Sequence, residues 1–518
     1  MMRSPLLSTA LLSVLLAACG GGGGSGTTIG GSPPPASTPA RGTLLESPPS
    51  LLSTLKASDL LTELSLASNA QILALAGGPI CDILMYDIEY ETVGGAGEPT
   101  TASAALLVPT GLGSACTGRR PMLLYAHGTT TDSAFTMASF SNTETMTLAA
   151  LFATKGYIVV APNYAGYDSS TLPYHPYLVA DQQSKDMIDA LTAARTALPV
   201  ASATLASDSG QLYITGYSQG GFVAMATHRA MQQAGMPVTA AAPMSGPYAL
   251  AAFVDAIFYG RVNGDATISS ALLFPAYQKS YGNVYSSPSV VFASPYAATI
   301  EDLLPTSTPR SQLYSENELP EYALFSPTPP SPAFAADTPP TAPAGLAAVF
   351  ALGFGSGNLI NNSYRLAYLQ DAVANPDGGF PSLTTGVTAA SPGLAMRQAL
   401  KNNDLRDWVP TAPTLLCGGD QDPLVFWMNT SLMQSYWAVN APAAAAIGVL
   451  DLEAAPASGD PYATLKTDFA VAKAAVAASA VAQGATDGGA LAVDEAYHAE
   501  LVAPFCFAAV KEFFGNNP

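Results

Sequence analysis

Charge is scarce in this chain. Of its 518 residues only 11% are Asp, Glu, Lys or Arg, which is low for a cytosolic protein. Positive charge is scarcer still: 19 Lys and Arg stand against 38 Asp and Glu, a formal net charge of −19. That balance argues against nucleic acid as a partner, because phosphate binding needs clustered Lys and Arg. Histidine occurs only four times and cysteine five. No two of them form a close pair, so no metal site is expected. Long apolar runs are also missing after the N-terminus. The Ala-rich stretch 470–482 is broken by Lys473 and stops at Gln483, so nothing there can span a bilayer. There is no internal repeat. Apolar residues, by contrast, make up 49%, enough for a sizeable core in one large domain or two ordinary ones.

The first 18 residues have the pattern of an export signal. Arg3 gives a positive start, and the apolar run Leu6–Ala18 is too short to cross a membrane comfortably. It ends in Leu16-Ala17-Ala18-Cys19, which resembles the lipobox of bacterial lipoproteins, where the Cys is lipidated. A tether rich in Gly, Ser and Pro, residues 19–43, follows without apolar periodicity and is expected to be disordered. The expected location is the cell envelope, with an N-terminal lipid anchor in the outer membrane. An ordinary signal peptide cut near Ala18, giving a secreted protein, is the alternative. Without Cys19 the chain keeps Cys81, Cys116, Cys417 and Cys506. In an exported protein these suggest two disulfides. Spacing favours Cys81–Cys116 and Cys417–Cys506 among three pairings, against four buried thiols.

Two strands are expected over residues 85–109, with a turn at Gly94–Gly97. Three short, continuous apolar runs follow: Met122–Ala126, Tyr157–Ala161 and Leu212–Thr215. Each precedes a loop and a helical stretch, the pattern of a parallel sheet covered on both faces. A further run is Val238–Pro243. The alternation then stops over residues 251–400, which include the Pro-rich passage 326–332. Strand-like runs resume at Pro413–Cys417 and Ile447–Leu452. The layout is therefore an α/β domain in two parts, 44–250 and 401–518, with 251–400 inserted as a cap. A separate tandem domain is the alternative. Apolar pieces of the cap such as Phe253–Tyr259 and Leu346–Phe354 are expected to form its core and in part to wall a pocket.

The central motif is Gly216-Tyr217-Ser218-Gln219-Gly220. G-x-S-x-G is weak alone, but here a strand precedes it and a helical stretch, Phe222–Gln233, follows. A serine hydroxyl needs a base. His228 lies ten residues along the same helix, out of reach. His127 and His175 precede Ser218, against the usual order of nucleophile, acid and His. His498 follows it and is the candidate base. The acid that orients it is Asp422, in the turn after the run 413–417; Asp420 is the alternative, a turn-capping carboxylate. The oxyanion hole needs two backbone N–H groups. Gln219, next to the nucleophile, is one candidate. Thr129, in the loop His127-Gly128-Thr129, is the other, with His127 bracing that loop.

These segments resemble α/β-hydrolases, and most closely the secretory lipases and related bacterial lipoprotein esterases. The resemblance rests on Tyr125–Thr129, Ala161–Tyr167, His175-Pro176-Tyr177, the elbow at Ser218, Ser245–Tyr248, Asp422 and His498. It covers about half the chain. Asn163 departs from it, since relatives often carry Asp there. The resemblance implies an α/β-hydrolase sheet with a lid, ester hydrolysis through Ser218, a small-molecule or lipid ester as substrate, and no cofactor. A peptidase on the same fold and an inactive surface-binding lipoprotein are the competing readings.

Overall fold

The continuous apolar runs form the centre of a nine-stranded sheet. The structure, a computed structural model, describes residues 40–66, 70–201, 204–378, 385–442 and 446–518. The signal segment, Cys19 and most of the tether lie outside these residues. The strands are β1 (Ser50–Leu55), β2 (Asp82–Val93), β3 (Pro99–Thr110), β4 (Gly118–Ala126), β5 (Ile158–Pro162), β6 (Ala206–Tyr217), β7 (Ala240–Met244), β8 (Thr414–Gly418) and β9 (Ile447–Asp451). Their order is β1-β2-β3-β5-β4-β6-β7-β8-β9. Pairing is antiparallel from β1 to β5 along this order and parallel from there to β9.

Burial on both faces explains why the central strands read as unbroken apolar runs. On β4, Met122, Leu124 and Ala126 enter one core, and Leu123 and Tyr125 the other. On β5, Ile158 and Val160 oppose Val159 and Ala161 in the same way. Helices Ala180–Ala197 and Gln219–Gln233 cover the first face. Helices Thr143–Leu151 and Ala503–Gly515 cover the second. The edge strand β1 has no such signature, because its residues are almost all exposed. Order also begins earlier than the tether boundary at 43 suggests. Arg41 pairs with Asp189 at 2.9 Å, and Gly42 and Thr43 exchange backbone hydrogen bonds with Glu91.

β7 and β8 are parallel neighbours, yet 169 residues, 245–413, separate them, and those of them that the structure describes stay outside the sheet. The main helices of this excursion are Leu250–Phe258, Ala266–Tyr281, Asn362–Ala374 and Ala395–Asn403. Limits of 251 and 400 thus fall inside its first and last helices. A change of composition cannot see a helix that starts in the sheet-side loop. Of the Pro-rich passage 326–332, residues 326–331 form neither helix nor strand, and Pro332 opens a short 3₁₀ helix, Pro332–Asp337, where a proline's missing N–H costs nothing. Part of the scarce positive charge is spent inside this region. Buried Arg397 bonds Asp255 at 2.6 Å and Asp371 at 2.9 Å, tying three of these helices together. Buried Arg406 pairs with Asp377 and Asp404, each at 2.8 Å. A buried charge needs such partners, since an unpaired one costs several kcal/mol, about 3–5.

Two disulfides are present, Cys81–Cys116 and Cys417–Cys506. The second joins the end of β8 to the C-terminal helix. Among the described residues, no helix is long and apolar enough to cross a membrane.

Candidate active site

β6 ends at Tyr217 and a helix begins at Gln219, so Ser218 stands alone in the turn between them. Its backbone is held at φ 59°, ψ −121°, a conformation L-residues avoid. The neighbours enforce it. The Ser218 N–H donates to the Met244 carbonyl at 3.1 Å, and its own carbonyl accepts from the Gly221 N–H at 2.9 Å. The flanking glycines are dictated by space. A Cβ on Gly216 would lie 2.3 Å from the Gly220 carbonyl oxygen, and one on Gly220 would lie 1.9 Å from that of Ala126. The turn also places Ser218 at the N-terminus of a 15-residue helix, where free N–H groups and the helix dipole favour negative charge.

His498 comes from the far end of the chain. It sits in a single π-helical turn, Tyr497–Val502, ahead of the C-terminal helix; such turns recur at functional sites. Its Nδ1 meets Asp422 Oδ2 at 2.7 Å, and both residues are buried. The second Asp422 oxygen accepts from the Leu424 and Val425 N–H groups at 2.9 and 3.0 Å, which fixes the carboxylate. The Tyr217 hydroxyl donates to the His498 carbonyl, and the two rings lie 4.9 Å apart. His498 Nε2 is buried without a hydrogen-bond partner among the described residues. The Cys417–Cys506 bridge ties the strand that leads to Asp422 to the helix that follows His498. Asp420, by contrast, is exposed, and its N–H donates to Asp451.

The other three histidines are enclosed. Burial pushes the His127, His175 and His228 imidazoles down to about 4, 3 and 4. The His127 ring lies between the carbonyls of Gly128 (Nδ1, 2.7 Å) and Asn163 (Nε2, 3.1 Å), donates its single N–H to one of them, and stacks on Tyr164 at 4.0 Å, bracing the loop after β4. Asn163 is part of the same buried brace. Its Oδ1 accepts from the Met137 N–H at 2.6 Å, and its amide donates to Ser103 at 2.8 Å.

Ser218 and His498 line one cavity of about 300 Å³. Thr129 and Gln219 line it beside them. The Gly128 N–H is already taken by the Glu144 carboxylate at 3.3 Å, which leaves Thr129 as the loop's candidate donor. Glu144 had no motif to announce it. It is half-buried beneath the loop and bonded to the Tyr125 hydroxyl, and the desolvation of its carboxyl raises its pKa. The cavity roof is mostly apolar and comes from two helices, the second of which also sets Ser269 and Ser270 into it. Leu250, Phe253, Val254, Ile257 and Phe258 face it from the first, and Ala266, Leu273 and Phe274 from the second. Most are three or four residues apart, so they share one face of each helix. Arg310 and Asp265 sit at its polar side, 3.4 Å apart.

The stretch Leu346–Phe354 is not part of this wall. Phe350 packs on Phe426 at 5.7 Å, and Phe426 packs on the wall residue Phe253 at 5.4 Å. It therefore lies one layer back. Among the described residues, no cluster of three His, Cys, Asp or Glu is placed to hold a metal ion.

No protein-family model and no curated protein sequence matches the chain. Solved structures do. The rice cell wall degrading esterase LipA of Xanthomonas oryzae is 26% identical, over 83% of this chain and 95% of its own, with a TM-score of 0.61. A ligand-bound form of that esterase aligns over 93% of this chain and 100% of its own, at 24% identity and a TM-score of 0.64. A Legionella pneumophila protein described as a hydrolase is 20% identical over 79% of this chain and 91% of its own, with a TM-score of 0.58. With its mostly parallel sheet and helices on both faces, the chain has the α/β-hydrolase fold.

Proposed function

We propose that this protein is a serine carboxylic ester hydrolase that works through an acyl-enzyme on Ser218. The observation that carries the proposal is the His498–Asp422 bond at 2.7 Å, with His498 and Ser218 on the wall of one cavity. Esterase neighbours, one at 26% identity, support the same class. Closeness to the secretory lipases remains part of this proposal.

His498 Nε2 takes the Ser218 proton as Oγ attacks the ester carbonyl. Asp422 holds the imidazole in the tautomer with Nδ1–H and stabilises the cation that forms. The backbone N–H groups of Gln219 and Thr129 hold the oxyanion. His498 then returns the proton to the leaving alcohol. Water attacks the acyl-enzyme by the same route and frees the acid. The apolar roof takes the acyl chain, because an apolar wall with few polar groups suits such a ligand.

Hydrolysis of p-nitrophenyl esters from acetate to palmitate tests the proposal, with a peptide amide series beside it. Ester turnover without amide turnover is the expected result; amide preference or no turnover contradicts it. The roof assignment has its own outcome. Leu273→Trp should lower kcat/KM on long esters by about 10-fold or more, yet leave acetate within about 3-fold, as small changes in an apolar pocket do. An equal loss at every chain length would move the acyl site elsewhere.

Export and lipid attachment at Cys19 belong to the proposal too, on the strength of the lipobox pattern. Mass spectrometry of the mature N-terminal peptide should show an acylated Cys19. An unmodified N-terminus near residue 19 would make the protein a secreted one.

A further inference from the structure

One tripeptide, His175-Pro176-Tyr177, reaches both residues proposed to hold the oxyanion. The His175 ring is 2% exposed and its Nε2 lies 2.7 Å from the side-chain nitrogen of Gln219. Its Nδ1 lies 3.0 Å from the Ala165 carbonyl oxygen. That carbonyl can only accept, so Nδ1 carries the proton, and Nε2 must accept from the Gln219 amide. A second amide, that of Gln183, approaches the same nitrogen at 3.3 Å. Tyr164 stacks against the ring at 5.6 Å, and Tyr167 packs at 4.7 Å. Two residues on, the Tyr177 hydroxyl shares a hydrogen bond of 3.0 Å with Thr129 Oγ1.

We propose that His175 is a positioning residue for the oxyanion hole, fixing the Gln219 peptide through its buried side chain. The inference rests on the ester-hydrolase reading. Gln219 follows the strained Ser218, and its N–H is useful only if that peptide plane keeps its aim. The helix holds the peptide from one side. The Gln219 side chain, also 2% exposed, is the other handle, and His175 grips it. Neutral His is required, because a cation would offer Gln219 a donor where it needs an acceptor. Burial, with no carboxylate bonded to the ring among the described residues, keeps it neutral: its pKa is pushed down to about 3. An oxyanion donor acts on the tetrahedral state far more than on bound substrate, so its misalignment should appear in kcat.

The test is a double-mutant cycle on the full chain with His175→Ala and Gln219→Met. The second variant keeps the backbone N–H and cuts the same link from the other end, without opening the core around His175. Each single change should lower kcat by about 10- to 100-fold and leave KM within about 3-fold. Each should weaken a trifluoromethyl ketone, which mimics the tetrahedral state, by a similar factor. The double variant should be no worse than the singles, since one link is cut once. His175→Gln, which can place an acceptor oxygen near the Nε2 position, should recover part of the loss. Unchanged kcat in Gln219→Met, or losses that multiply in the double variant, overturns the positioning role. So does a fall in Tm alone. Wild-type turnover is read in the same assay: its absence removes the hydrolase reading, whereas turnover with an unaffected Gln219→Met removes this inference only.

Discussion

Ser218→Ala should lower kcat/KM on a short ester by roughly four to six orders of magnitude and leave the protein folded. On the proposed mechanism the change removes the attacking oxygen. His498 can still act on water, and the oxyanion N–H groups remain, so a small residual rate is expected. The fold should survive because the change deletes one atom on a half-buried turn. Alanine keeps the Cβ that already tolerates φ 59° here. A folded variant with near-normal turnover would mean that another residue attacks.

Asp422→Asn should lower kcat by about 10⁴-fold. The amide would set an N–H donor or a neutral oxygen against His498 Nδ1. The imidazole then loses the partner that fixes its tautomer, and its cation loses a stabilising charge. The fold should again be kept. Asn can still accept from the Leu424 and Val425 N–H groups that now hold Asp422 Oδ1. Asp420→Asn is the matched control. Its side chain is exposed and bonds only its neighbour Gln421 among the contacts seen, so kcat should stay within about 2-fold. If Asp420→Asn were the damaging change, the acid would be misassigned.

What the sequence disclosed follows from where each signal lies. β4, β5 and β6 were legible because the stretches of each that are buried on both faces are almost wholly apolar. Ser218 was legible because close backbone approach leaves only glycine at positions 216 and 220. His498 followed from there being four histidines and one that came late enough. β1 was not legible, since an edge strand whose side chains face solvent need show no pattern. The pairing of His175 with Gln219 joins residues 44 apart and depends on how the loop after β5 folds beneath the elbow. No local spacing encodes it. The apolar stretches 253–259 and 346–354 look alike in sequence. Only the tertiary structure puts the first on the cavity wall and the second one layer behind it.

The central claim is that Ser218 is the nucleophile of a complete Ser-His-Asp site, and covalent capture tests it most directly. The protein would be treated with a p-nitrophenyl alkylphosphonate, which transfers its phosphonyl group to an activated serine as p-nitrophenolate leaves. Peptide mass spectrometry then locates the adduct. One phosphonyl group per chain is expected, on the peptide that contains Ser218, and none in the Ser218→Ala variant. Capture should slow sharply in Asp422→Asn. An adduct on a different residue, or an unlabelled Ser218 in protein that still hydrolyses esters, would contradict the account.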